Sequence, residues 1–222
     1  METAPKPQQK GTKKLFNNPV IEKLSRTHIA VPLLLFFVYS AVLLYWSAQQ
    51  TSLSLGISVG MFAIGFFVFT WVEYQVHRHI FHMGTHTTWR KKAQYLIHGV
   101  HHEFPKDKDR LAMPPLASLT IATLLLLLCR WLMGDYGFTF MAGFMVSYAS
   151  YLWVHYLIHA YPPPNNFLRI WWINHSIHHY KNGTGVFGVS SPLWDYLYGT
   201  MKIDDRRAQT DRIAESDSKK AA

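Results

Sequence analysis

Three long stretches of the chain contain no Asp, Glu, Lys or Arg: Thr27 to Val72, Leu111 to Cys129, and Tyr136 to Asn166. A helix on the surface of a soluble domain needs one wet face, so soluble folds seldom keep such runs free of charge. A bilayer demands them, at about 20 residues per crossing. The polar turn Ser47–Ser52 divides the first run, which gives four expected helices: about Ile29 to Trp46, Leu53 to Tyr74, Pro114-Pro115 to Leu132 and Phe138 to Ala160. Pro32 falls in a first turn, where proline is tolerated. Pro114-Pro115 suits a helix start, and Pro162-Pro163-Pro164 stops the last helix. Gly56 and Gly60 give the second helix a small-xxx-small face on which another helix could approach closely.

The expected fold class is all-α: a four-transmembrane-helix integral membrane protein with a cytosolic histidine-rich helical cap. Residues 1–15 read as a disordered basic tail, 16–203 as the membrane domain and 204–222 as a flexible C-terminal tail. Four crossings put both tails and the 77–110 loop on one side. That side holds every Lys and Arg of the 22 except Arg130, so it is expected to be cytosolic. The formal net charge of +9 then fits a face beside anionic lipid heads and calls for no nucleic acid. No cleavable secretory signal is expected, and Cys129, the single cysteine, has no internal disulfide partner.

Ten of the thirteen histidines fall into four clusters. His77 and His82 are five residues apart. His98, His101 and His102 form H-x2-H-H, as do His175, His178 and His179; His155 and His159 form H-x3-H. Spacings of three and four bring side chains to one helical face, so each H-x2-H-H cluster is expected to aim three rings at one point. A spacing of five turns about 140° past a full turn, so the helix must end or bend between His77 and His82. Imidazole suits iron, zinc and copper, and ten ligands exceed what one ion can take, so two metal ions are implied. Glu73, Glu103, Asp107, Asp109 and Asp195 are read as orienters of the ligating rings or as ordinary surface charges. His28, His79 and His86 are expected to lie outside the centre.

These clusters resemble those of the fatty acid hydroxylase and sterol desaturase superfamily of membrane di-iron enzymes, most closely the fatty acid 2-hydroxylases. Glu73-Tyr74 through His77-Arg78 and Phe81-His82 is similar to their first box, and Leu96-Ile97-His98-Gly99 with His101-His102 to their second. Asp107-Lys108, Arg110-Leu111 and Met113-Pro114-Pro115 resemble their signature loop. His178-His179-Tyr180-Lys181-Asn182, Phe187-Gly188-Val189-Ser190-Ser191, Trp194-Asp195 and Gly199-Thr200 resemble their C-terminal box. Three positions depart from the pattern. No His-Pro-Gly-Gly haem motif of a cytochrome b5 domain is present, Tyr151-Leu152 stands where members carry Tyr-Asp, and His79 replaces an apolar residue.

The resemblance implies an O2-dependent lipid hydroxylase acting at C2 of a fatty acid or sphingolipid acyl group. Its ten clustered histidines would hold two iron ions, with zinc able to replace them in a preparation. Electrons would come from a separate cytochrome b5-like or ferredoxin-like protein. The active site would face the cytosol, at the endoplasmic reticulum in a eukaryote or the inner membrane in a bacterium. A sterol or other lipid hydroxylase or desaturase of the same superfamily is the sister reading, and a histidine-rich membrane metal transporter is the reading from another class. Transport sites tend to lie near the bilayer midplane, whereas here the clusters stand at the ends of clean apolar runs.

Overall fold

The structure, a computed structural model, describes residues 7–182 and 184–201 together with 205, 210, 211 and 213. The described residues are helical, with no strand. The segment expected as a C-terminal tail, 204–222, lies almost wholly outside them.

The chain divides into two compact units, Lys14–Val72 with Asp107–Tyr156, and Met1–Lys13 with Glu73–Lys106 and Leu157–Ala222. The first unit begins with the short helix α1 (Pro19–Leu24), where the Asn18 side chain accepts from Val20 and Ile21 N–H. It continues with α2 (Ala30–Gln50) and α3 (Leu55–Val76). After α4 (Thr88–Gln94) and α5 (Val100–Glu103) of the other unit come α6 (Pro115–Met133) and α7 (Tyr136–Ala160). Three segments are long and apolar enough to cross a membrane: Ala30–Gln50, Leu55–Phe81 and Lys108–Met133. Their outer faces leave Leu34, Phe37, Val59, Phe67, Leu124 and Trp131 exposed, a surface that only lipid covers at low cost.

The expected fourth span is corrected: α7 has the length, but it is not among the helices apolar enough to cross. The reason is burial. Met141, Ala142, Phe144, Met145 and Ala149 of α7 form a core with Phe36, Leu43, Phe69 and Ala122. A helix wrapped by protein need not be apolar all round, and α7 accordingly carries Thr139, Ser147, His155 and His159.

The close helix approach also differs from the expectation. A Cβ on Gly56 or Gly60 would meet open space, whereas one on Gly65 would stand 2.0 Å from the Phe140 carbonyl oxygen and one on Gly143 2.0 Å from that of Phe62. The α3–α7 crossing is therefore backbone on backbone. Contact is set by where the helix axes cross, which residue spacing does not reveal.

The second unit holds the clustered histidines other than His155. Its further helices are α4 (Thr88–Gln94), α5 (Val100–Glu103), α8 (Arg169–Ile177) and α9 (Leu193–Leu197). Gln8 N–H donates to the Glu103 carbonyl at 2.7 Å, so described residues of the N-terminal segment lie along α5.

Candidate metal centre

The backbone changes pitch at three of the four clusters. π-helical turns occupy His77–Phe81, Tyr95–Gly99 and His178–Asn182. In the first, His82 N–H donates to the His77 carbonyl at 3.2 Å, an i→i+5 bond. It brings the two rings to a centroid distance of 5.2 Å. The helix thus ends just before His82, its C-cap, as the spacing of five required, and it does so through one widened turn; such turns are frequent at functional sites.

All ten clustered histidines come together in two groups of five. The first comprises His77, His82, His98, His102 and His178; the second comprises His101, His155, His159, His175 and His179. Within each group the available ring nitrogens lie within 4.8 Å of one another. His155 reaches the second group from one turn before His159 on α7. His28, His79 and His86 belong to neither group.

One expectation is overturned in detail. The H-x2-H-H clusters do not each serve one point. His98 and His102 join the first group while His101 joins the second; His178 joins the first while His175 and His179 join the second. Adjacent helical residues diverge by about 100°, so neighbouring histidines face opposite sides of a shared wall. His102 and His179 stack across that wall with ring centroids 4.2 Å apart.

The nitrogen spacing fits a bound cation. Two donors held about 2.1 Å from one ion and at right angles stand about 3.0 Å apart. The Nε2–Nε2 distances are 3.1 Å for His77–His98, 3.0 Å for His98–His102, 3.0 Å for His82–His178 and 3.2 Å for His102–His178. In the second group His159 and His175 stand at 2.8 Å. Both ring nitrogens of His179 are buried without a hydrogen-bond partner, which is costly in a protein interior unless something else binds there.

Burial favours the neutral form of His82, His98, His178 and His179, the form that ligation requires. Burial, then the neighbouring His178, pushes His82 down to about 3. Burial holds His178 near 4 against its bond to Gly185. Burial, followed by crowding from other histidines, lowers His98 and His179 well below the usual range. The unfolded chain gains these protons as pH falls through about 6.5, whereas the folded chain resists until the depressed values. The metal-free protein should therefore be most stable above pH 6.5 and lose stability steadily toward pH 4, which thermal unfolding across that range would read.

For His77 and His178 the acceptors that orient the rings are backbone carbonyls rather than carboxylates. His77 Nδ1 donates to the Phe187 carbonyl at 2.5 Å and His178 Nδ1 to that of Gly185 at 3.0 Å. Each bond commits the proton to Nδ1 and leaves Nε2 for a metal. The carboxylates act one step further out, on the loop that carries those carbonyls. Asp195 accepts from Phe187 and Gly188 N–H, both at 2.8 Å, and burial pushes its carboxyl up. Glu73 accepts from Val189 N–H at 3.0 Å and Ser190 N–H at 3.2 Å. The loop needs such anchors, because Val186 sits at φ 58°, a region that costs a β-branched residue about 1–3 kcal/mol.

Glu73→Gln places an amide NH2 against one of these N–H donors. We expect metal affinity at the first group to fall by about 10–100-fold, measured by competition with a chromogenic chelator.

Glu103 and Asp107 have partners outside the two histidine groups. Glu103 accepts from the Tyr95 hydroxyl and pairs with Lys13 at 3.8 Å. Asp107 pairs with Arg110 at 3.6 Å, and Arg110 reaches Glu22 at 2.6 Å, which ties the signature loop to α1. At the Tyr151-Leu152 position, Leu152 is buried and Tyr151 stacks on His155 at 5.6 Å.

The sequence pattern of the fatty acid hydroxylase family matches residues 62–200. The fatty acid 2-hydroxylase of Mus musculus is 31% identical over 212 residues, covering 85% of this chain and 56% of its own length. The ceramide very long chain fatty acid hydroxylase scs7 of Schizosaccharomyces pombe is 32% identical, with coverages of 86% and 55%. A dihydroceramide fatty acyl 2-hydroxylase of Arabidopsis thaliana is 34% identical over 160 residues, with coverages of 68% and 65%. The solved structure of full-length scs7p, in which only the hydroxylase domain is visible, superposes with a TM-score of 0.79 at 29% identity, covering 87% of this chain and 73% of that one. The chain thus spans a little over half the length of the first two relatives. With this match across the histidine segments and the agreement in fold, the chain belongs to the fatty acid hydroxylase family.

Proposed function

We propose that this protein is a membrane-bound di-iron oxygenase that hydroxylates C2 of a lipid acyl chain, on a fatty acid or a sphingolipid. The observation that carries the reading is the pair of five-histidine groups sharing one wall, in a chain of this family. When bound, two iron ions would supply the oxidising power from O2 and two electrons that an unactivated C–H bond requires. His77, His82, His98, His102 and His178 would hold one ion; His101, His155, His159, His175 and His179 would hold the other.

The chain's own contribution is placement. The 185–190 loop fixes the tautomers of His77 and His178, and burial keeps water from most of the rings. α3 leads from its apolar stretch directly into His77, so that ligand begins where the lipid-compatible part of the helix ends. A centre at this level would meet acyl carbons close to the polar head, which is where C2 lies. Residues 16–203 would form the hydroxylase domain, and the basic side would face the cytosol, where a separate cytochrome b5-like or ferredoxin-like protein would deliver electrons.

The test is expression of the chain in a host that lacks 2-hydroxy lipids, with mass spectrometry of total fatty acids, sphingolipids and sterols. The appearance of 2-hydroxy acyl chains is expected. A change confined to sterols would select the sister activity instead, and iron-loaded, reduced protein that alters no lipid would refute the proposal.

A further inference from the structure

A row of aromatic rings leads from the first histidine group to the surface. Phe187 makes edge or tilted contacts with His77, His82 and His178 at centroid distances of 5.8, 5.5 and 5.5 Å. Tyr74 stands edge-on to Phe187 at 6.2 Å, and Tyr198 stacks on Tyr74 at 5.1 Å with the planes 13° apart. Tyr74 is fully buried, while Tyr198 is 44% exposed.

The Tyr74 hydroxyl has a directed set of partners. Arg78 donates to its oxygen at 3.0 Å. Thr200 Oγ1 donates to Asp195 Oδ1 at 2.6 Å, so in the 3.0 Å contact between Tyr74 and Thr200 the phenol is the donor. The phenolic proton therefore points along Tyr74→Thr200→Asp195, toward a fully buried carboxylate. A core tyrosine needs only one partner for its hydroxyl. A cation on the oxygen and a two-step path to a base are more than packing requires.

We propose that Tyr74 and Tyr198 form a redox-active pair that drains misdirected oxidising equivalents away from the histidine ligands. This rests on the oxygen-activating reading of the centre, because an oxidant able to attack an alkyl C–H bond can also take an electron from a phenol. When no acyl chain is in place, Tyr74 gives one electron to the oxygen-activated centre. Its O–H bond breaks, the proton passes to Thr200, and the Thr200 proton passes to Asp195. The products are a neutral tyrosyl radical at Tyr74, a protonated Asp195 and a centre reduced by one electron. Tyr198 then returns an electron to Tyr74, which recovers its proton by the same path in reverse. Tyr198 releases its own proton to water. At the surface it takes back one electron and one proton from a small soluble reductant of the thiol or ascorbate class.

The test uses the full chain, iron-loaded and lipid-free in detergent, exposed to hydrogen peroxide and frozen at intervals. Electron paramagnetic resonance should show a tyrosyl radical that is lost in Tyr74→Phe and longer-lived in Tyr198→Phe. Thr200→Val keeps both rings but removes the proton path, and should delay the radical. Peptide mass spectrometry should find oxygen added to His77, His82 or His178 sooner in all three variants. A radical unchanged in Tyr74→Phe overturns the pair. So does the absence of any radical in a preparation that makes 2-hydroxy lipid, and that result leaves the hydroxylase reading standing. Iron-loaded protein that makes no product and no radical overturns both.

Discussion

Replacing His98 by alanine is expected to abolish lipid hydroxylation and to remove about half of the bound metal. Within the first group, His98 has its Nε2 about 3 Å from those of both His77 and His102. Its ring also stacks on Phe81 at 4.9 Å, so truncation loses a ligand and a packing contact together. His101→Ala should do the same to the second group, where the ring packs against His159 and His179 at 4.6 and 4.7 Å. A loss of more than about 100-fold is expected in each case, since changes in outer partners alone cost about 10–100-fold. The double variant should produce no less lipid product than either single variant, because groups that act as a unit are not additive. Metal-to-protein ratio and 2-hydroxy acyl content, measured on the same preparation, separate ligand loss from misfolding. Wild-type product from His98→Ala would remove that residue from the centre.

The second large effect is expected far from the chemistry. Gly65→Ala would put a methyl group 2.0 Å from the Phe140 carbonyl oxygen, against backbone that no side-chain rotation can relieve. Helices α3 and α7 would have to move apart, at a cost of about 2–3 kcal/mol. Gly143→Ala meets the Phe62 carbonyl in the same way and should behave alike. Gly56→Ala is the control: nothing lies within 4 Å of the added carbon, and its effect should stay within about 0.5 kcal/mol. Thermal unfolding in detergent, followed by size-exclusion recovery, would rank the three. Equal stability of Gly65→Ala and Gly56→Ala would show that the crossing is looser than described.

Much of the metal centre was legible in the order of residues. Ligand type and spacing of three or four are local properties, and a helix converts them into a common face with little help from the rest of the fold. The ten candidates fall into two close groups, and the three histidines set aside fall in neither. The H-x4-H pair marked a break in helical pitch, but not that the break would be a π turn. The acceptors for His77 and His178 left no mark, because a backbone carbonyl looks the same at every residue. Asp195 and Glu73 were visible as carboxylates near the clusters, yet their task of gripping the 185–190 loop depends on a chain path that spacing does not encode.

By itself, the sequence determined the all-helical class, the lipid-compatible stretches, the ten histidines and the family resemblance, because composition and helical periodicity act over one or two turns. Only the tertiary structure decided that α7 is a core helix, that Gly65 and Gly143 rather than Gly56 and Gly60 mark the tight crossing, and that each H-x2-H-H cluster is shared between two groups. Those outcomes depend on which helix faces lie against which neighbours. Contacts between residues distant in the chain are set by packing, and no local pattern records them.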